Sequence, residues 1–181
     1  MAKWKMNESG NRAGLPVQAD AWPALAHELQ AAVVGDMESF VMGLDVGFAF
    51  VGRQKVIKVD DASHTLDLLL FHRKLRRLVA ISVLLDESRP ISEDQMEACL
   101  RWLDKFERRS HEGTPLGMIV CAAMQAEYIQ LLELADTGVQ AAPYPTDLPP
   151  RAVLAQRLQQ ASRRARARIA QRAPHDPGTM P

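Results

Sequence analysis

The chain has 181 residues, the size of one ordinary domain with tails, and long enough to bury a core without disulfide or metal staples. Its composition, 47% hydrophobic and 24% charged, is that of a soluble globular protein, and no apolar run approaches the ~20 residues of a membrane span. The 22 basic and 22 acidic residues cancel overall, but residues 151–172 hold seven arginines and no acid, so only 15 basic residues face 22 acidic ones elsewhere.

Residues 1–19, with Gly10, Gly14, Pro16 and little apolar content, are expected to form a flexible tail. The opening MAKWKMNESGNRAG is too polar for a signal peptide, which makes the cytoplasm the default location. The main domain is expected over 20–149. Asp20 serves as a helix cap, and Leu25, Leu29, Val33, Met37, Phe40, Val41 and Leu44 then recur at three- and four-residue steps, as one helix face should. Phe48–Val51 and Lys55–Val59 are strand-like runs, and DDASH is a turn by composition. Thr65–Phe71 and Leu78–Leu85 are the most apolar runs, joined by the tight basic corner HRKLRR. This reads as three consecutive antiparallel strands with the last two buried.

Ser92 followed by Glu93, Asp94 and Gln95 starts a second helix, with Met96, Cys99, Leu100, Leu103 and Phe106 facing inward. Leu116–Ala122 is a further buried strand. Ala126–Leu134 is expected to be helical, closed by Asp136-Thr137-Gly138, with Val139–Ala142 a short edge strand. PYPTDLPP is a connector. Residues 150–172 form an arginine-rich helix with Leu154, Leu158 and Ile169 as a thin apolar stripe, and 173–181 a disordered tail. The expected fold is α/β: a helix, a three-strand meander, a helix and a strand, giving a mixed sheet flanked by helices with a C-terminal basic helix. Cys99 and Cys121 lie in apolar surroundings, outside any C-x-x-C pair, and the five histidines have no zinc-ligand spacing.

Three stretches carry a resemblance: GFAFVGRQ (47–54), LDLLLFHRKLRRLV (66–79) and the P-x-x-x-x-QM of 90–96. With LGMIVCAA and VQAAPYPTDLPP they make residues 25–150 resemble the C-terminal nuclease domain of the YhcG family, a branch of the PD-(D/E)XK, restriction-endonuclease-like superfamily. The resemblance implies the fold order read above. It also implies a phosphodiester-cleaving site with a divalent metal, usually Mg²⁺, held by an Asp on one strand and a Glu on the next, with a Lys two residues further on. Hard cations want oxygen ligands, and the two-residue repeat of a strand puts that Lys on the Glu's face, where it can steady the attacking water.

Carried over residue by residue, the Asp falls on Asp67 and the crossover-helix Gln on Gln95, while the Glu falls on Ser82, the Lys on Leu84, and a helix acid near Gln30. One carboxylate and a neutral serine make a poor Mg²⁺ cage, and each lost stabilising group typically costs about 10²–10³ in rate. The expectation is therefore a remnant site in a catalytically degenerate domain that acts by binding nucleic acid, DNA foremost, or a protein partner or second copy, without a membrane. The alternatives are a metal-dependent DNA endonuclease with a rearranged site, borrowing Asp86 or Glu87 beyond the third strand or Lys74, Arg76 and Arg77 at the corner, and a structural or oligomerisation module.

Each candidate has a plainer reading. Asp67 could be a buried acid held by a donor such as Gln95 or a corner arginine, since a lone buried carboxylate is costly. Ser82 and Leu84 read as core filler, and His72 as a strand-end polar residue. Arg53 and Gln54 could touch a phosphate or simply shape a turn. Arg163, Arg164, Arg166 and Arg168 could follow a nucleic-acid backbone or face solvent; no aromatic residue is interleaved with them, which argues against base stacking.

Overall fold

The structure, a computed structural model, describes residues 22–44, 47–59, 61–85, 93–122 and 127–172. The expected caps Asp20 and Ser92, both tails, and Asp86 and Glu87 lie outside the described residues. The elements run α1 (Trp22–Gly43), β1 (Phe48–Val59), β2 (Ala62–His72), β3 (Arg77–Leu84), α2 (Glu93–Phe106), β4 (Leu116–Ala122), β5 (Glu127–Ala135), β6 (Gly138–Ala141) and α3 (Arg151–Arg172). The six strands make one sheet in sequential order. The β3–β4 pair, bridged by α2, is parallel and all others are antiparallel.

Strand alternation sorts the core into two layers. Leu68, Leu70, Val79, Ile81, Val83, Met118 and Val120 point to one face, where α1 (Leu29, Val33, Met37, Val41) and α3 (Leu154, Leu158, Ala161, Ala165, Ile169) cover them. Leu69, Leu78, Ala80, Leu84, Ile119 and Cys121 point to the other, covered by Met96, Cys99, Leu100 and Leu103 of α2. A Cβ on Gly117 would sit 2.8 Å from Met96 Cγ and 2.9 Å from its Sδ, so a glycine there lets α2 lie directly on β4.

A helix is expected over Ala126–Leu134, and the structure differs over the described part, residues 127–134. The expected helix is instead β5, paired with β4 from Leu116↔Glu133 to Ala122↔Glu127. Its leucines, glutamates and glutamine are good helix formers, but Leu131 is buried in one core layer and Leu132 in the other. A strand covered on both faces loses its alternation and reads as an apolar run. The order is thus helix, three strands, helix, three strands, helix.

β1 carries an irregularity between Phe50 and Gly52, where its register against β2 shifts. Gln54 then has φ 49, in the left-handed region. These two breaks in regular pleating bear directly on the site.

Candidate active site

β2 and β3 are paired only from His72↔Arg77 to Leu68↔Ile81. Beyond that point β2 stays with β1, while Ser82, Val83 and Leu84 stay with β4 as partners of Ile119, Val120 and Cys121. The sheet therefore opens between its second and third strands, and Asp67 stands at the fork. Its Oδ2 accepts the Val83 backbone N–H at 2.8 Å, filling the place a strand carbonyl would have taken. Its Oδ1 accepts from Gln30 Nε2 of α1 at 2.7 Å and from Gln54 Nε2 of β1 at 3.1 Å.

The left-handed turn at Gln54 brings two consecutive residues toward α1: Arg53 Nε meets Glu38 Oε2 at 2.6 Å, and Gln54 reaches Asp67. Asp67 is only 3% exposed. Burial pushes its carboxyl above the ordinary carboxylate range, and the three donors (Val83 first, then Gln30 and Gln54) pull the other way without cancelling it. The donors expected from the sequence do not serve. Gln95 is exposed on α2, and the corner arginines lie at the far end of the strands, where Arg76 and Arg77 bond the carbonyls of His111 and Thr114.

Ser82 and Leu84 share the α2 face. Ser82 is 2% exposed and lines a small cavity of about 120 Å³ with Ser63, His64, Thr65, Leu66, Gln95, Met96 and Cys99. Leu84 is core, packed in the α2 layer. The structure thus brings Ser82 and Gln95 together, while the Asp67 carboxylate turns to the α1 side. Burial pushes the Cys99 thiol up to about 11, so the cavity holds a neutral thiol and no ready nucleophile.

His72, fully buried, accepts the Leu75 N–H at Nδ1 and faces the Asp147 carbonyl through Nε2, packing edge-on against Phe48. It ties the corner to the connector before α3. Among the arginines of α3, Arg166 is half-buried, with Nε toward Ser162 Oγ at 3.3 Å and Nη2 toward the Leu85 carbonyl at 3.4 Å, whereas Arg163, Arg164 and Arg168 are exposed.

A sheet forked at an aspartate, with a helix crossing between its third and fourth strands and helices on both faces, is the core of a PD-(D/E)XK, restriction-endonuclease-like protein. The model of the family described as "YhcG PDDEXK nuclease domain" matches residues 18–160, and the chain belongs to that family. It is also 32% identical over 134 residues to the Escherichia coli (strain K12) protein named "Putative nuclease YhcG", an alignment spanning 72% of this chain and 35% of that protein. The chain thus corresponds to about a third of the length of this curated relative.

Nucleases of this class use divalent metal, and the residues here fit that poorly. Three of the roughly four lone-pair positions of Asp67 already accept N–H donors, two on Oδ1 and one on Oδ2, leaving little of the carboxylate for a cation. Ser82 and Leu84, where the resemblance implies the second acid and the lysine, carry a hydroxyl and an alkyl chain. Among the described residues no group of three or more His, Cys, Asp or Glu comes together. Sequence reasoning missed that Gln30 and Gln54 are partners of Asp67. Gln30 lies 37 residues from Asp67 and no local pattern links them; only the resemblance, which puts a helix acid near Gln30, hinted at it.

Proposed function

We propose that this is a YhcG-type nuclease-fold domain that has lost metal-dependent cleavage and works by binding nucleic acid. The observation that carries this reading is the enclosure of Asp67 by three neutral N–H donors. A metal ligand must be ionised and must turn its lone pairs to the cation. Here three of the roughly four lone-pair positions of the carboxylate are directed at N–H donors. An acid at position 30 would repel Asp67 unless a cation lay between them; an amide donates to it and takes the cation's place. The absence of a carboxylate at 82 and an ammonium at 84 supports the same reading, since two of the charge-stabilising groups that make phosphodiester cleavage fast are gone.

The test is incubation of supercoiled plasmid with the wild-type chain and with Asp67→Asn, in Mg²⁺ and in Mn²⁺. The plasmid is expected to stay intact with both proteins. Metal-dependent nicking by wild type that Asp67→Asn abolishes would overturn the reading and favour an endonuclease with a rearranged site.

A further inference from the structure

The arginines of α3 are not spread evenly around the helix. Leu154, Leu158, Ala161, Ala165 and Ile169 are buried, which fixes Arg163, Arg164 and Arg168 on the outer surface. Contacts set the direction of packing: Arg157 stacks its guanidinium 5.0 Å over the Phe40 ring, while Arg164, Arg168 and Gln171 lie by Asp36. As α3 advances α1 recedes, so the two helices are antiparallel. Between them opens a groove of about 410 Å³ lined by Asp36, Arg164, Ala167, Arg168 and Gln171.

Two features make this groove more than a solvated helix face. Among the described residues, Arg163, Arg164 and Arg168 have no hydrogen-bond or ion-pair partner, unlike Arg53, Arg77, Arg101 and Arg108, each of which holds a carboxylate. Clustered on one helix face of a chain whose remaining charge is acidic-leaning, these guanidinium groups offer a surface to an anion. The second feature is place. Asp36 follows Gln30 on α1 by six residues, about 9 Å of helix rise. Gln30 holds Asp67, and Arg166 of α3 reaches the carbonyl of Leu85, at the end of β3 next to the fork. The groove thus opens at the same end of the sheet as the remnant site, on its α1–α3 side.

We infer that this groove is a docking site for the phosphodiester backbone of nucleic acid, with Arg164 and Arg168 as paired phosphate contacts, Gln171 as a further donor and Arg163 as a neighbouring charge. Four residues of helix separate Arg164 and Arg168 by about 6 Å, so the two guanidinium groups can meet successive charges of one strand. The groove wall offers no aromatic or large apolar anchor, which a protein partner would require and a backbone does not. Asp36 opposes the anion, and the groove still carries excess positive charge. The inference rests on the proposed binding function and assigns its surface.

The test is fluorescence anisotropy of the full chain with labelled duplex DNA, single-stranded DNA and duplex RNA of one sequence, across a salt series. Arg164→Gln/Arg168→Gln is compared with Arg101→Gln/Lys105→Gln, which removes the same charge from α2 on the opposite face. Each lost phosphate contact removes about 0.9 from the slope of log affinity against log salt for duplex DNA. Between ~50 and ~200 mM salt the wild type should therefore lose about tenfold more affinity than the α3 variant. The α2 variant should keep the wild-type slope, and Asp36→Asn should bind tighter. Whichever probe shows this dependence names the source of the backbone. Wild-type binding that the α3 substitutions leave unchanged would overturn the groove and leave the binding function standing. No binding of any probe by wild type would overturn both.

Discussion

Asp67 is 3% exposed, and its nearest partners are a backbone amide and two side-chain amides. Because burial raises its pKa, the folded state holds the proton more tightly than the unfolded chain does. The sign follows: stability from this group is fully present below the unfolded carboxylate pKa and is lost as pH rises through the raised folded value. Asp67→Asn keeps the shape and removes the charge, with Oδ1 free to accept from Val83 and Nδ2 to donate to the reoriented glutamines. Urea unfolding should find this variant more stable than wild type near neutral pH, with the gap closing as pH falls below the ordinary carboxylate range. Asp67→Ala should be roughly 1–3 kcal/mol less stable than Asp67→Asn, since the Val83 N–H loses its acceptor. A wild type that outlasts Asp67→Asn at neutral pH would mean the ionised carboxylate is itself stabilising.

At the scale of elements, α3 is part of the fold it lies on. Leu154, Leu158, Ala161, Ala165 and Ile169 sit in the same core layer as α1 and the sheet. Leu158 is 0% exposed, so Leu158→Ala should lower stability by about 2–5 kcal/mol in denaturant melts; a change below ~1 kcal/mol would mean α3 is only loosely attached. On the other face, Gly117→Ala should cost about 1–3 kcal/mol by pressing on Met96. Sequence pattern made α1 and α2 legible through one buried face each, and β2, β3 and β4 through apolar runs buried on both faces. It failed at β5, whose helix-forming residues are held extended by pairing to β4 and burial on both sides. The same limit applies to the site. Asp67, a lone acid in an apolar strand, stands out in the sequence. Gln30 and Gln54 do not, because what makes them its partners is a register shift and one left-handed residue in β1 together with the docking of α1.

Over the whole molecule, a forked sheet is joined to an uneven charge distribution. At the open fork Asp67 is held by amides, and α3 carries seven arginines into a chain otherwise acidic-leaning. Among the described residues no helix is long and apolar enough to cross a membrane. The proposed loss of metal binding turns on whether N–H donors or a cation satisfy the Asp67 carboxylate. The most direct measurement is Mn²⁺ binding followed by electron paramagnetic resonance on the wild type and on Asp67→Asn. The proposed loss of metal binding requires the same weak, non-stoichiometric uptake for both. A one-to-one Mn²⁺ site in wild type that Asp67→Asn abolishes would contradict it.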